Sequence, residues 1–235
     1  MPTRNLLLIS SSRVHGTGFL EHCSEAVREH FSGVVPVLFI PYALADHNKY
    51  ESVVSEAFEK NGLQLSSIHH AEDPIAAINK AHGIFIGGGN SFRLLKTLYE
   101  LNLLAPIRQA VQRGVPYMGS SAGTNMSCPT IRTTNDMPIV EPPSFNALNL
   151  VPFQINPHFL DADPNSTHKG ETREQRLNEF HEENSAPVVA LREGSWLEIH
   201  DDTCQLCGKT GMVLFLPGQR PENIEGPKDL SNLLV

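Results

Sequence analysis

The stretch Gly119-Ser120-Ser121-Ala122-Gly123 carries the plainest chemical content in the chain. It matches G-x-S-x-G, in which glycines two residues either side of a serine permit a turn tight enough to lift the hydroxyl above a sheet. Ser121 is therefore the candidate nucleophile, and the next backbone N–H, that of Ala122, would face an oxyanion forming on an attacked carbonyl. A glycine-rich turn capped by serine is the ordinary alternative. Gly87-Gly88-Gly89-Asn90 is a second such turn. Three consecutive residues without side chains would let the N–H groups of Gly88 and Gly89 approach a ligand and complete an oxyanion hole. A dinucleotide fingerprint fails there, because Phe92 stands where the third glycine of G-x-G-x-x-G belongs and no acidic residue ends the next strand.

A nucleophilic serine needs a base. Of 11 histidines, His158 in Gln154-Ile-Asn-Pro-His-Phe159 is the best placed, after an apolar approach and pinned behind a proline. His22, His30, His69, His70 and His181 fall on helical or polar stretches and read as surface residues. The acid that would orient the imidazole is Asp136 or Glu193, and residue types and spacing leave both open. Glu193 ends an apolar strand just before Gly194, whereas Asp136 sits in Thr133-Thr-Asn-Asp136-Met-Pro, where a turn or cap role is ordinary. Cys204-x-x-Cys207 has neither the second pair nor the histidines of a zinc site and reads as a hairpin with buried thiols. His181-Glu182-Glu183 lacks the second histidine of a zincin helix. No metal or organic cofactor is expected.

The elements that must hold these groups follow from an alternation of short apolar runs with stretches of helical period. Residues 6–9, 37–40, 83–86 and 115–118 read as buried strands. Between them, Phe19, Cys23, Val27 and Phe31 form one helix face, Tyr50 to Phe58 another, and Asp73-Pro74 an N-cap followed by proline at the first helical position. Further helices span 91–102, start at Pro106, and span 171–183. An α/β fold with a mostly parallel sheet results, and both glycine turns fall at the carboxyl end of a strand, where ligands bind in open sheets. Residues 128–157 lose periodicity and read as a long irregular excursion. Residues 188–191, 196–199 and 212–216 read as closing strands, partly antiparallel because their connections are short; the polar tail after Pro217 reads as loose.

With 40% hydrophobic residues, the 235 positions read as a single α/β domain, 1–235. A net charge of −8 argues against nucleic acid as a partner. Four cysteines are too sparse for a disulfide framework and fit a reducing compartment. The first apolar run is too short for a signal-peptide core or a membrane span, so a cytoplasmic location with no membrane partner is expected.

Several stretches together resemble the peptidase E family of aspartyl dipeptidases, serine peptidases whose fold is similar to that of class I glutamine amidotransferases. They are Ile86-Gly-Gly-Gly-Asn-Ser91, Gly119-Ser-Ser-Ala-Gly123, Cys128-Pro-Thr-Ile-Arg-Thr-Thr-Asn-Asp-Met-Pro-Ile-Val140, Gln154-Ile-Asn-Pro-His-Phe159 and His168-Lys-Gly-Glu-Thr-Arg-Glu-Gln-Arg176. The resemblance covers almost the whole chain. It implies a mostly parallel central sheet with helices on both faces and antiparallel strands near the C-terminus. It also implies Ser121 as nucleophile, His158 as base, Glu193 as its partner, Asp136 as an acid of catalytic importance and Arg173 as the cation that meets a substrate aspartate. Asn90 joins Arg173 among the substrate-binding candidates. The implied substrate is a small dipeptide with N-terminal aspartate, and the implied assembly a monomer or homodimer. Ser120 stands where bacterial relatives can carry tryptophan, which bears on pocket shape. A cyanophycinase-like enzyme, an esterase or a non-catalytic binding protein on the same fold are the rival readings.

Overall fold

Apolar runs separated by helices build the larger of two sheets. In the computed structural model, which describes residues 4–163, 165, 167 and 170–234, the chain runs through β1 (Asn5–Ile9), α1 (Ser24–His30), β2 (Val37–Ile40), α2 (His47–Lys60), β3 (Leu65–Ser67), α3 (Pro74–Lys80) and β4 (Ile84–Ile86). It continues through α4 (Ser91–Glu100), α5 (Leu104–Gln112), β5 (Tyr117–Ser120) and α6 (Ala122–Ser127). His168 and Lys169, part of one family-like stretch, lie outside the described residues. Strands β1, β5, β4, β2 and β3 lie side by side in that order and are all parallel. Alternation along each strand sends side chains to opposite faces. Leu6 and Leu8 of β1 join a core with Leu94, Leu98 and Ile107 of α4 and α5, while Leu7 and Ile9 join Val27 of α1 and Val54 and Phe58 of α2. Burial on both faces explains why these strands are continuously apolar.

The C-terminal part divides between two sheets, a split the sequence did not announce. β6 (Gln154–Phe159), α7 (Arg173–Glu183) and β7 (Val188–Arg192) precede β8 (Ser195–His200), β9 (Thr203–Gly208), β10 (Met212–Phe215), β11 (Glu222–Ile224) and β12 (Lys228–Asp229). β8 pairs antiparallel with β1, and β9 and β12 extend that edge to give eight strands; β11, β10, β7 and β6 form a separate four-stranded sheet. The chain crosses from one sheet to the other at Glu193-Gly194, where Gly194 takes φ 90°, so this junction is not a hairpin turn. One face of the small sheet, with Ile155, Val189 and Leu191, joins the core beneath α6; the other packs Phe159 and Phe215 against Leu177 of α7. The tail, expected to be loose, is instead paired: β11 lies on β10 and β12 on β9, with Leu230 and Leu234 buried. Those two leucines supply the apolar area that a free tail would leave in water. Among the described residues, no helix is long and apolar enough to cross a membrane.

Candidate active site

Strand β5 ends at Ser120 and α6 begins at Ala122, leaving Ser121 alone to make the turn, with φ 54° and ψ −110°. A left-handed backbone is costly for a residue with a side chain and persists only when its surroundings impose it. Here the glycines impose it: a Cβ on Gly119 would stand 2.5 Å from the Gly123 carbonyl oxygen, and one on Gly123 would stand 2.0 Å from that of Ile86. The Ser121 N–H donates to Ile9 (3.1 Å) and the Thr124 hydroxyl donates to the Ile9 and Gly119 carbonyls (2.7 and 2.9 Å), fastening the turn to β1. Ser120 is wholly buried and lines neither cavity that reaches Ser121, so it does not shape the pocket.

His158 comes from the small sheet. The irregular excursion ends earlier than expected, at β6, which is an edge strand and so tolerates Pro157. Its register against β7 shifts between Asn156 and Phe159, and His158 itself takes φ 54°. Such a bulge re-aims one side chain out of the strand's alternation. The imidazole Nε2 then lies 2.9 Å from Ser121 Oγ, and Nδ1 lies 2.6 Å from Glu193 Oε1. Side chains of α6 and of the excursion occupy the open edge of β6. Asn125 and Thr133 both donate to the Ile155 carbonyl at 2.9 Å, and Asn135 donates to that of Pro157 at 2.7 Å.

Ser10, which sequence reasoning did not single out, joins the two sheets. Its buried hydroxyl accepts from the His158 N–H (2.9 Å) and donates to the Leu191 carbonyl (2.9 Å) at the end of β7, while its own N–H donates to Ser195 of β8 (3.1 Å). The only sequence signal was its place at the carboxyl end of β1, in the polar run Ser10-Ser-Ser12.

Asp136 is not on the imidazole. Its Oδ2 accepts from the Ser91 N–H (2.7 Å) and the Thr134 hydroxyl (3.1 Å), so it caps the start of α4 from a neighbouring loop. Asn90, expected to meet substrate, is engaged at both ends of its amide: Oδ1 accepts from Arg93 N–H (3.0 Å) as the N-cap of α4, and Nδ2 donates to the Met137 carbonyl (2.8 Å). It holds the excursion against the glycine turn and lines neither cavity. Gly88 lies against Ser121, since a Cβ there would be 3.1 Å from Ser121 Cβ. Among the described residues no backbone carbonyl accepts from Gly88 or Gly89 N–H, although the Gly88 N–H lies against the Tyr50 hydroxyl, and Ala122, first in α6, has no acceptor within its helix.

Two cavities meet at Ser121, and they share only Ser121, His158 and Glu193. The smaller, about 350 Å³, is lined by Asn135, Asp136 and Arg173 among others. Arg173 opens α7 directly after Thr172, which forms a reciprocal capping box with Gln175. Its guanidinium is half-buried; burial and the neighbouring Arg176 push its pKa down, and Asp136 opposes them. Arg176 pairs with Glu171 at 3.5 Å, whereas Arg173 has no side-chain hydrogen bond or ion pair among the described residues. The arrangement offers a hydroxyl with a base, a carboxylate behind the base, and a cation and a carboxylate within one cavity of the hydroxyl.

Other groups stand apart from this site. The expected surface placement fails for His30, which lies under α1 with Nε2 3.1 Å from the Tyr117 carbonyl, and for His22, whose ring nitrogens are both shielded from water beside Trp196. Cys204 and Cys207 sit three residues apart on β9, on opposite faces, so they cannot converge on one metal; burial pushes their thiols up to about 12 and about 11. Glu51, His69 and His70 cluster on α2 and the segment after β3, with Glu51 2.7 Å from His70, but both ring nitrogens of His69 already meet Ser67 and Asn48.

The sequence pattern of peptidase family S51 matches residues 6–207. The chain belongs to that family. A Streptomyces coelicolor relative named "Peptidase E" is 53% identical over 230 residues, which is 98% of this chain and 95% of the relative. A Drosophila melanogaster relative named "Probable alpha-aspartyl dipeptidase" is 49% identical over 234 residues, 98% of each chain. Among solved structures, a Listeria monocytogenes protein provisionally assigned to peptidase E superposes with TM-score 0.67 at 24% identity, over 88% of this chain and 98% of that one. A peptidase from an acI-B1 Actinobacterium gives TM-score 0.69 at 18% identity, over 97% and 96%. These two likenesses show a shared fold.

Proposed function

We infer that this chain is a serine dipeptidase that cleaves dipeptides with an N-terminal aspartate through an acyl-enzyme on Ser121. The observation that carries this reading is the relay Ser121–His158–Glu193, at 2.9 and 2.6 Å, with a half-buried Arg173, unpaired among the described residues, lining the same cavity. The names carried by the full-length relatives point the same way. His158 Nε2 takes the hydroxyl proton as Ser121 Oγ attacks the peptide carbonyl; Glu193 balances the imidazolium. The oxyanion is held by the Ala122 N–H and by the glycine turn at Gly88 and Gly89. Nε2–H then protonates the departing amine, and water resolves the ester by the reverse route. Arg173 pairs with the aspartate side-chain carboxylate, and the free oxygen of Asp136 meets the substrate's α-ammonium. A neutral side chain would leave the half-buried Arg173 without a carboxylate, a mismatch that lowers the rate of cleavage.

All of these groups come from one chain, so either a monomer or a homodimer supports the reaction, and a negative net charge with four unpaired cysteines supports a cytoplasmic setting without nucleic acid. Ser121→Ala should abolish release of leucine from Asp-Leu while circular dichroism stays unchanged; near-normal turnover refutes the nucleophile. Asp-Leu, Asn-Leu, Glu-Leu, an isoaspartyl dipeptide and a simple ester, compared side by side, test the acyl pocket. Equal rates on Asp-Leu and Asn-Leu would remove Arg173 from specificity.

A further inference from the structure

The second cavity at Ser121, about 970 Å³, has a different character from the first. Its walls include Val14, Phe19, Leu44 and Val53, and two cations, Arg13 and Lys49, stand on the same walls. Two acids share those walls: Asp46, whose Oδ1 accepts from the Lys49 N–H (3.0 Å) as the N-cap of α2, and Glu193, which meets His158; neither pairs with Arg13 or the Lys49 ammonium among the described residues. Arg13 follows β1 on the loop beyond Ser10. Its guanidinium carbon sits 5.6 Å from the centroid of the Phe19 ring, and among the described residues the side chain has no hydrogen bond or ion pair. Stacking on an aromatic face steadies a guanidinium and leaves its N–H edge free for a planar anion.

That edge is tied to the nucleophile through a short chain of contacts. Phe19 meets Tyr50 edge-on at 6.4 Å, and Tyr50 underlies the glycine turn so closely that a Cβ on Gly87 would stand 2.5 Å from its hydroxyl oxygen. On a chain of net charge −8, an unpaired arginine in the cleft of the nucleophile calls for an anionic ligand.

A peptide laid across Ser121 must place its acyl residue on one side and its leaving residue on the other. If the Arg173 cavity takes the aspartate, as in the reading above on which this step rests, the leaving residue enters the larger cavity. In a dipeptide that residue ends in a free α-carboxylate. We propose that Arg13, seconded by Lys49, binds the α-carboxylate of the leaving residue, while Val14, Leu44 and Val53 accept its side chain. The enzyme thereby prefers substrates in which the residue after aspartate is the last one and is apolar.

The test compares Asp-Leu with Asp-Leu-amide, which differ only in the terminal charge. The parent enzyme should favour Asp-Leu in kcat/KM, mostly through KM. Arg13→Gln should shrink that ratio roughly tenfold to a hundredfold, the usual weight of a hydrogen bond to a charged group. Arg13→Lys should keep part of it, and the double variant Arg13→Gln/Lys49→Gln should abolish it. A ratio near one in the parent, or a ratio unchanged in both the single and the double variant, overturns the proposal. In that event the dipeptidase reading stands as long as both substrates are cleaved at the aspartyl bond and Ser121→Ala cleaves neither. If the parent cleaves neither, the dipeptidase reading and this proposal fail together.

Discussion

Replacing Glu193 with glutamine removes a charge from behind His158 at almost constant side-chain size. The imidazole is neutral before attack and cationic once the Ser121 proton reaches Nε2, so attraction between imidazolium and carboxylate exists mainly in the transition state. Two unit charges about 4 Å apart attract by ~4 kcal/mol at an effective dielectric of about 20. The contact here is shorter, 2.6 Å, but the two side chains retain 35% and 43% of their exposure, and water screens them. A loss of ~2–4 kcal/mol is therefore expected, which at ~1.4 kcal/mol per factor of ten lowers kcat roughly 30- to 1,000-fold. KM for Asp-Leu should stay within about twofold, because the Glu193 charge acts through His158. Steady-state release of leucine measures both constants, and a thermal melt shows whether the fold persists. A folded Glu193→Gln enzyme with kcat within about threefold of the parent would sink the reasoning, as would a loss carried by KM alone.

Ser10→Ala leaves the His158 N–H and the Leu191 carbonyl without their partner at the seam of the sheets. A buried group left unsatisfied costs ~1–3 kcal/mol, so the urea midpoint should fall and kcat should drop about tenfold, while Ser10→Thr restores part of both. A variant of parental stability and kcat would show that the seam does not depend on this hydroxyl. Burial above all, with the His200 charge adding to it, holds the His30 pKa down from 6.5 to about 3 against the pull of the Tyr117 carbonyl. A histidine kept neutral in the fold stabilises it fully above pH 6.5, and that contribution is lost as pH falls toward 3. His30→Gln, which still donates to Tyr117, should therefore show a shallower fall in melting temperature between pH 7 and pH 4; an identical slope would remove His30 from the acid response.

The parallel half of the fold was legible because each strand there is an uninterrupted apolar run with a helical period on either side. The elbow was legible because two glycines are forced on either side of Ser121 by backbone atoms less than 3 Å away from any added Cβ. The second sheet was not, for a physical reason. Residues 188–191 and 196–199 are both apolar runs with a short connection, and local pattern makes them neighbours in one sheet. What sends β7 and β8 to different sheets is pairing with β6 and β10 on one side and β1 and β9 on the other, of which only the β8–β9 hairpin is local. Pro157 misled in the same way, since it argues against a strand unless that strand is an edge. The choice between Asp136, in a turn, and Glu193, at a strand end, was equally hidden, because only the crossover at Gly194 brings one of them to the imidazole.

The seam explains why the strain sits where it does. The hydroxyl belongs to one sheet and the base with its carboxylate to the other, so the relay closes only if each sheet presents its side chain off its own axis. Both Ser121 and His158 do so with φ 54°, a backbone that stability alone would not select. Arg173 departs from the stabilising pattern in a third way. A cation in the first turn of a helix opposes the helix dipole, typically by 0.3–1 kcal/mol, and this one has no carboxylate bonded to it among the described residues. Moving the charge to the last turn of α7 would serve the helix better; an anion arriving in the cavity is what its present position serves.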